Sequence, residues 1–258
     1  MVFSLQGKTI LLTGAAGILG FNYAKTLTAQ GAKLILLDRN VEKLHAEATL
    51  KDALIYQTDI TKEENWKKLK SELAAKKTHV DVLINNAAGK SDNFFDAFED
   101  YKLDDWHEVM NINLTAVMMG CQNFGVQMAA KGAGSIINIS SIYGVVAPNQ
   151  DIYEGSEYNG RPINTPAVYS ASKAAIIGLT RYLATYWGKQ NVRVNCITPG
   201  GVFSGQNDVF VKNYSSRVPL GRMGKPDELG GALVFLASDE STYVTGQNII
   251  VDGGWTAW

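Results

Sequence analysis

The strongest constraint in this chain is an alternation of short apolar runs with stretches of helical spacing. Thr9 to Thr13 (TILLT) ends at a glycine and leads into Ile18 to Gln30. Lys33 to Asp38 (KLILLD), Leu54 to Gln57 and Val80 to Asn85 (VDVLIN) follow, with the charged amphipathic stretch Glu63 to Lys76 before the last of them. A long helical pattern from Asp104 to Ala130 precedes Ser135 to Ser140 (SIINIS). The helix of Ala167 to Trp187 precedes Val192 to Ile197 (VRVNCI), and Asn248 to Val251 (NIIV) is the last strand expected. The runs are apolar on both faces, as strands of a parallel sheet covered on both sides must be. Alternating strand and helix predicts right-handed crossovers and a doubly wound α/β sheet with helices on both faces. No linker, repeat or low-complexity tract interrupts the order, so residues 1–258 read as one domain, with 46% hydrophobic residues to fill its core.

In such sheets ligands bind beyond the carboxyl ends of the strands. After the first run comes Gly14-Ala15-Ala16-Gly17-Ile18-Leu19-Gly20. Glycines there let the backbone turn sharply and approach a pyrophosphate, and the helix that follows offers unpaired N–H groups and a positive dipole end. This predicts a Rossmann-type dinucleotide site built on Gly14, Ala16, Gly17, Ile18, Leu19 and Gly20. The second run ends in Asp38, whose carboxylate can accept from the adenosine ribose hydroxyls and would repel a 2′-phosphate, so NAD is expected over NADP. Arg39 is the one neighbour able to pair with such a phosphate. Asp59 and Ile60 end the third run, with Asp59 in reach of the adenine or serving as a cap, and Asn86-Ala87-Ala88 ends the fourth, small enough to lie against the second ribose.

Tyr169 and Lys173 stand four residues apart on an expected helix and share one face. An ammonium beside a phenol, helped by a nicotinamide ribose, favours phenolate and suits the pair to move an alcohol proton while hydride is transferred. Other chemistries find less footing. Net charge is −1, with 24 basic and 25 acidic residues in no long single-sign run, so no nucleic-acid or anionic-membrane footprint is present. No metal site is expected, and Cys121 and Cys196 each fall in an apolar segment as buried free thiols. Met1 to Lys8 carries no apolar leader and no run suits a bilayer span, which gives cytoplasmic localisation and no membrane partner as expectations.

Taken together, the glycine loop, Asp59, Asn85-Asn86-Ala87, Asn113, Ser141, Tyr169 with Lys173, Pro199-Gly200 and Val251-Asp252-Gly253-Gly254 resemble the short-chain dehydrogenase/reductase family over nearly the whole length. The resemblance implies an oxidoreductase in which Asn113, Ser141, Tyr169 and Lys173 are catalytic. Tyr169 would be the acid/base and Ser141 the partner of the substrate oxygen, with Ser140 as its competitor. Lys173 would bind the nicotinamide ribose, Asn113 would anchor a water, and Pro199, Gly200 and Val202 would line the nicotinamide side.

Three departures stand out. Gly14, Gly17 and Gly20 give G-x-x-G-x-x-G, which looks like the longer epimerase and dehydratase branch, where the short members have G-x-x-x-G-x-G. Ala88 replaces a glycine. The stretch between Ser141 and Tyr169 is long, and residues 145–166 read as an inserted loop beside the substrate or against a neighbouring subunit. Tyr153, Glu154, Tyr158, Asn159 and Arg161 are its expected substrate contacts. A second segment, 203–219, reads as a mobile lid beginning at Gly205, Gln206 and Asn207.

Both segments are polar, which points to a hydroxylated small-molecule substrate, with Lys90, Arg161 and Arg217 as the candidate partners of an anionic group on it. The insert and the ending Trp255-Thr256-Ala257-Trp258 resemble a subgroup linked to bacterial surface sugars, including flagellin modification, which implies a sugar or sugar derivative. A homodimer or homotetramer is expected, and the aromatic ending suggests a subunit contact. The alternatives are a sugar epimerase or dehydratase with tightly bound NAD, a reductase of 3-oxoacyl compounds, and a non-catalytic nucleotide-binding partner.

Overall fold

A computed structural model describes residues 2–258; Met1 lies outside the described residues. Seven parallel strands form one sheet in the order β3-β2-β1-β4-β5-β8-β9. They are β1 (Thr9–Thr13), β2 (Lys33–Asp38), β3 (Leu54–Gln57), β4 (Val82–Asn85), β5 (Gly134–Ile139), β8 (Val192–Pro199) and β9 (Asn248–Val251). A two-stranded antiparallel ribbon, β6 (Glu157–Tyr158) with β7 (Arg161–Pro162), stands apart in the insert. The order runs outward in both directions from β1 and β4, so the crevice between those two strands is the switch point where ligands collect.

Alternation along each strand feeds two cores. Leu11, Ile35, Leu83 and Ile136 point to one face with Trp66, Phe124 and Trp187. Ile10, Leu12, Leu36, Ile84 and Ile137 point to the other with Tyr23, Leu27 and Leu233. The first face is covered by α3 (Glu63–Ala75), by α4 (Leu103–Met110), α5 (Ala116–Gly120) and α6 (Val126–Lys131), and by α7 (Ala167–Trp187). The second is covered by α1 (Ile18–Ala29) and α9 (Gly230–Ala237), while a short α2 (Glu42–His45) follows β2 and α8 (Asp208–Ser215) follows β8.

The long helix expected from Asp104 to Ala130 is α4, α5 and α6 in series, joined by π-helical turns at Asn111–Thr115 and Cys121–Gly125. Each wide turn shifts the helix face by one residue. The face thereby delivers Asn113 inward, fully buried, while a Cβ at Gly125 would stand 2.4 Å from the Trp187 ring. Small residues at this crossing let the two helices lie on the sheet together.

The two variable segments are more ordered than the sequence suggests. The insert holds a 3-10 turn at Gln150–Tyr153 and a tight hairpin whose two central residues, Asn159 and Gly160, both have positive φ (53° and 72°), as a type I′ turn requires. The expected lid contains α8, capped by Asn207, whose Oδ1 accepts from Phe210 N at 2.9 Å. The two pack on each other. Tyr153 stacks on Phe210 at 5.4 Å, and Asn213 Nδ2 donates to the Ile152 and Glu154 carbonyls.

Candidate active site

The glycine loop is set by contacts that no side chain would allow. Gly14 has φ +64°, and a Cβ there would lie 2.7 Å from Ala87 Cα; at Gly20 it would lie 2.0 Å from the Gly14 carbonyl. Gly17 is less constrained, since its Cβ would come no nearer than 3.3 Å, and it serves as the extended residue before α1. No side chain caps α1 and no acidic residue occupies its first turn, so its positive end faces the groove. Asn86 braces the loop: its Nδ2 donates to the Thr13 and Gly14 carbonyls at 3.0 and 3.1 Å, while Thr13 Oγ1 accepts from Asn86 and Ala87 N–H.

A groove of about 640 Å³ runs from this loop past Asp38 and Arg39 to Asp59 and Ile60, with Ala16, Ile18, Leu19, Ala87 and Ala88 also on its walls. Asp38 Oδ2 accepts from Ala16 N at 2.9 Å and Oδ1 from Asn40 N at 3.1 Å, which fixes the carboxylate at the rim. Burial pushes the Asp59 carboxyl up, but the Thr61 hydroxyl and N–H, at 2.7 and 2.9 Å from Oδ1, bring it below the usual range. Asp59 thus acts as a turn cap with one carboxylate edge at the groove. The cleared backbone, the uncapped helix end and the fixed carboxylates suit a dinucleotide.

The groove opens at Leu19, Asn86 and Ala88 into a second cleft of about 570 Å³. Ser141, Tyr169 and Lys173 meet there, with Pro199, Gly200 and Val202 on the same wall. Burial pushes the Tyr169 phenol above its ordinary range and the Ser141 hydroxyl acts in the opposite direction. The downward shift expected from Lys173 is therefore not present in the protein alone. The Lys173 ammonium lies 5.8 Å from the centre of the Tyr169 ring and donates to the Ile139 carbonyl at 3.0 Å. Its own burial lowers it to about 8.

Ser140 and Ser141 face different ways. Ser140 Oγ donates to the Lys173 carbonyl at 2.7 Å, tying β5 to α7, and Gly144 packs against the same carbonyl. Ser141 Oγ accepts from Tyr143 N at 3.3 Å and its hydroxyl is directed to Tyr169. Asn113 Oδ1 accepts from Gly89 N at 3.0 Å and its Nδ2 donates to Ser172 Oγ at 3.3 Å. Its amide therefore spans the turn after β4 and helix α7. The Val202 carbonyl accepts from Gln206 Nε2 at 3.1 Å, so Gln206 anchors the start of the expected lid.

The insert residues divide. Tyr153 and Tyr158 line the cleft. Tyr153 exchanges hydrogen bonds with Thr165 and with Tyr143, the latter at 3.2 Å. Glu154 does not reach the cleft; it lines a separate outer groove of about 940 Å³ between the insert and the start of α4. Asn159 is spent on the hairpin turn, and Arg161 on its exposed return strand, so neither meets the site. Of the expected anion partners only Lys90 lines the cleft; Arg217 is exposed elsewhere.

Sequence reasoning passed over the support beneath this wall. Tyr214 stacks on Trp255 at 4.3 Å and its hydroxyl accepts from Gly201 N. Asp252 accepts from Gly254 N, Thr256 N and Thr256 Oγ1 at 2.7–2.8 Å, closing the turn that carries Trp255 inward. Trp255 is thus packed within the subunit, against the expectation of a subunit contact, while Trp258 remains exposed. The Asp-Gly-Gly-Trp run was the available signal: an acceptor followed by two glycines, at φ +68° and +94°, announces a tight turn.

A parallel sheet with this loop, and a tyrosine and lysine at its carboxyl end, defines a nucleotide-dependent oxidoreductase. The model of the short chain dehydrogenase family matches residues 8–214, and the chain belongs to the short-chain dehydrogenase/reductase family, NAD(P)-dependent enzymes acting on CH–OH groups. The chain is 31% identical over 264 residues to the NAD-dependent glycerol dehydrogenase of Listeria innocua, covering 98% of this chain and 96% of that one. A short-chain dehydrogenase from Leptospira borgpetersenii with bound NAD+ is similar at TM-score 0.89 and 36% identity, over 98% of this chain and 94% of that chain. A gluconate 5-dehydrogenase from Burkholderia cenocepacia, in complex with NADP and tartrate, is similar at TM-score 0.86 and 31% identity, over 99% and 98%. Among the described residues no helix is long and apolar enough to cross a membrane.

Proposed function

We propose that this enzyme interconverts a secondary alcohol and a carbonyl on a polyhydroxylated small molecule, a sugar or sugar derivative, using NAD(H) in preference to NADP(H). The observation that carries the reading is the meeting of Ser141, Tyr169 and Lys173 in a cleft continuous with the groove of Gly14, Asp38 and Asp59.

The loop from Gly14 to Gly20 with the first turn of α1 would hold the pyrophosphate, Asp38 the adenosine ribose, Asp59 and Ile60 the adenine edge. Asn86, Ala87 and Ala88 with Lys173 would hold the second ribose, and Pro199, Gly200 and Val202 the nicotinamide. When bound, the nicotinamide supplies or accepts the hydride. Ser141 donates its proton to the substrate oxygen and holds it against Tyr169. The Tyr169 hydroxyl gives that oxygen a proton in reduction and takes it in oxidation. Lys173 would fix the second ribose beside the Tyr169 ring, and Asn113 keeps the Gly89 turn fixed to α7 so that these groups stay in register. Asp38 at the groove rim disfavours a 2′-phosphate, as fits the NAD-dependent glycerol dehydrogenase and the NAD+-bound dehydrogenase among the similar proteins, beside others that hold NADP. The cleft's hydroxyls on Tyr143, Tyr153 and Thr165 suit a substrate rich in hydroxyl groups.

The test is a screen of polyols, sugar acids, sugar phosphates and 3-oxoacyl thioesters with NAD and NADP, followed at the nicotinamide absorbance. The expected result is turnover of a hydroxylated substrate, faster with NAD, and a fall of roughly 10²–10⁴-fold in kcat for Tyr169→Phe with nucleotide affinity retained. Turnover of 3-oxoacyl thioesters alone, or a Tyr169→Phe protein as fast as wild type, would overturn it.

A further inference from the structure

The cleft carries a charge whose role the acid/base group does not explain. Lys90, directly after the Asn86 to Gly89 turn, holds its ammonium among three aromatic rings: 4.7 Å from the centre of Phe95, 5.3 Å from Tyr158 and 5.4 Å from Phe94. Among the described residues it forms no ion pair and no hydrogen bond with the protein. The rings are themselves fixed. Phe94 and Phe95 pack edge to face at 5.3 Å, Asn164 Nδ2 donates to the Phe95 carbonyl at 2.7 Å, and Tyr158 is held on the insert hairpin.

Charge elsewhere in the cleft sharpens the point. Two lysines, Lys90 and Lys173, line it, and no aspartate or glutamate does. Lys173 is already committed to the Ile139 carbonyl. Of the three carboxylates of the insert, Glu154 and Glu157 line the outer groove on the other side of the Ile163 to Thr165 wall, and Asp151 lines neither groove nor cleft. A protein of net charge −1 thus presents a purely cationic substrate cleft.

We propose that Lys90 anchors an anionic group of the substrate, a carboxylate or a phosphate, making the substrate an acidic sugar derivative; this rests on the function proposed above. The aromatic faces hold the ammonium by their quadrupole without neutralising it. They also strip part of its water, so an arriving anion gains more than it would from a fully hydrated lysine. Phe94 sets the spacing, because its ring meets both the Lys90 ammonium, at 5.4 Å, and the Tyr169 ring edge to face, at 6.2 Å. Anchor and acid/base group are therefore one ring apart, and the reacting carbon of the substrate lies a few bonds from its anion. Lys90 is a specificity residue in this reading and takes no part in the proton transfer.

The experiment measures binding apart from turnover. Wild-type protein with saturating NADH, which leaves an alcohol no oxidant and so blocks turnover, is titrated calorimetrically with D-gluconate, glucose 6-phosphate and neutral galactitol, and the titrations are repeated with Lys90→Gln and Lys90→Arg. Lys90 is exposed, so both variants should fold, which circular dichroism checks. The expected result is that at least one anion binds more tightly than galactitol. Lys90→Gln should weaken that anion by roughly 10–100-fold with the loss confined to the anions, and Lys90→Arg should retain most of the affinity. Whether gluconate or the phosphate loses affinity identifies the group. Equal anion binding by wild type and Lys90→Gln, or galactitol binding as tight as both anions in wild type, overturns the proposal. An anion held through Lys90 by a protein that oxidises no alcohol would instead overturn the function and leave the anchor standing.

Discussion

Lys173 shows what the site asks of single residues. Its ammonium is buried, with one carbonyl partner, and burial lowers it to about 8 from the 10.5 of an exposed lysine. Folding therefore disfavours its charged form. Below pH 8 both the folded and the unfolded chain keep the proton, and the full penalty is present. Between pH 8 and 10.5 the folded protein sheds a proton that the unfolded chain retains, so stability rises with pH across that window. Shifts of this size correspond to about 3 kcal/mol, offset by about 1 for the Ile139 bond. Lys173→Met should thus make the nucleotide-free protein about 2 kcal/mol more stable at pH 7 while abolishing turnover, the trade expected where a charge is kept for function. Thermal denaturation of both proteins from pH 7 to 10 checks it: the variant's advantage should shrink as pH passes 8. An advantage that does not change with pH, or none at pH 7, would show the ammonium to be solvated in the folded state. Tyr169 sits under the same pressure with the opposite sign, its neutral form favoured by burial, which is why the lysine alone does not make it acidic.

At the scale of elements, the insert and the segment after β8 behave as one unit. Phe210, 8% exposed, is the ring between them, stacked on Tyr153 and tilted against Tyr214 at 5.8 Å, and Asn207 Nδ2 reaches the Glu157 carbonyl. Phe210→Ala removes the shared packing, at about 3 kcal/mol for a nearly buried ring. Hydrogen–deuterium exchange should rise together in 145–166 and 203–219, with the sheet unchanged and KM raised. Faster exchange in only one of the two segments would mean that they move independently. This unit was the part least legible in the sequence. The sheet was readable because its strands from Thr9–Thr13 to Asn248–Val251 carry apolar residues on both faces, and the glycine loop because its neighbours give it a strand before and a helix after. The insert held one plain signal, Asn159-Gly160, whose pairing makes a hairpin and so removes Asn159 and Arg161 from the cleft. The remainder depends on contacts between segments far apart in sequence, Tyr153 with Phe210 and Tyr214 with Trp255, which no local pattern encodes. The π turns were hidden for a related reason: an apolar helix with one extra residue per turn reads as an ordinary helix until its buried partners are known.

The whole molecule leaves an apolar face to account for. Along α7 the outward positions Ala171, Ala174, Gly178, Tyr182 and Tyr186 are exposed, and beside them α5 and α6 expose Met118 and Val126. A helix that ends in water normally carries charge on that side; here Arg181 is the one exposed charged residue between Ala171 and Tyr186, since Lys173 is buried. Tyr182 and Tyr186 stack on each other at 5.7 Å with both rings 61% exposed, so they form a flat apolar step at the end of the face. A symmetric pairing of this face with its copy would bury the step twice over, since a two-fold axis brings each patch against itself. Because α7 also carries Tyr169 and Lys173, such a contact would stiffen the helix that positions them. Tyr182→Lys with Tyr186→Lys would place like charges opposite one another across the axis. Analytical ultracentrifugation should then find the wild type as a dimer or tetramer and the double variant shifted to smaller species, with weaker turnover at low protein concentration. A wild type that sediments as a monomer, or a double variant that sediments unchanged, would mean that this face has another use. Activity per subunit that falls on dilution of the wild type towards the level of the double variant would tie assembly to the alignment of Tyr169.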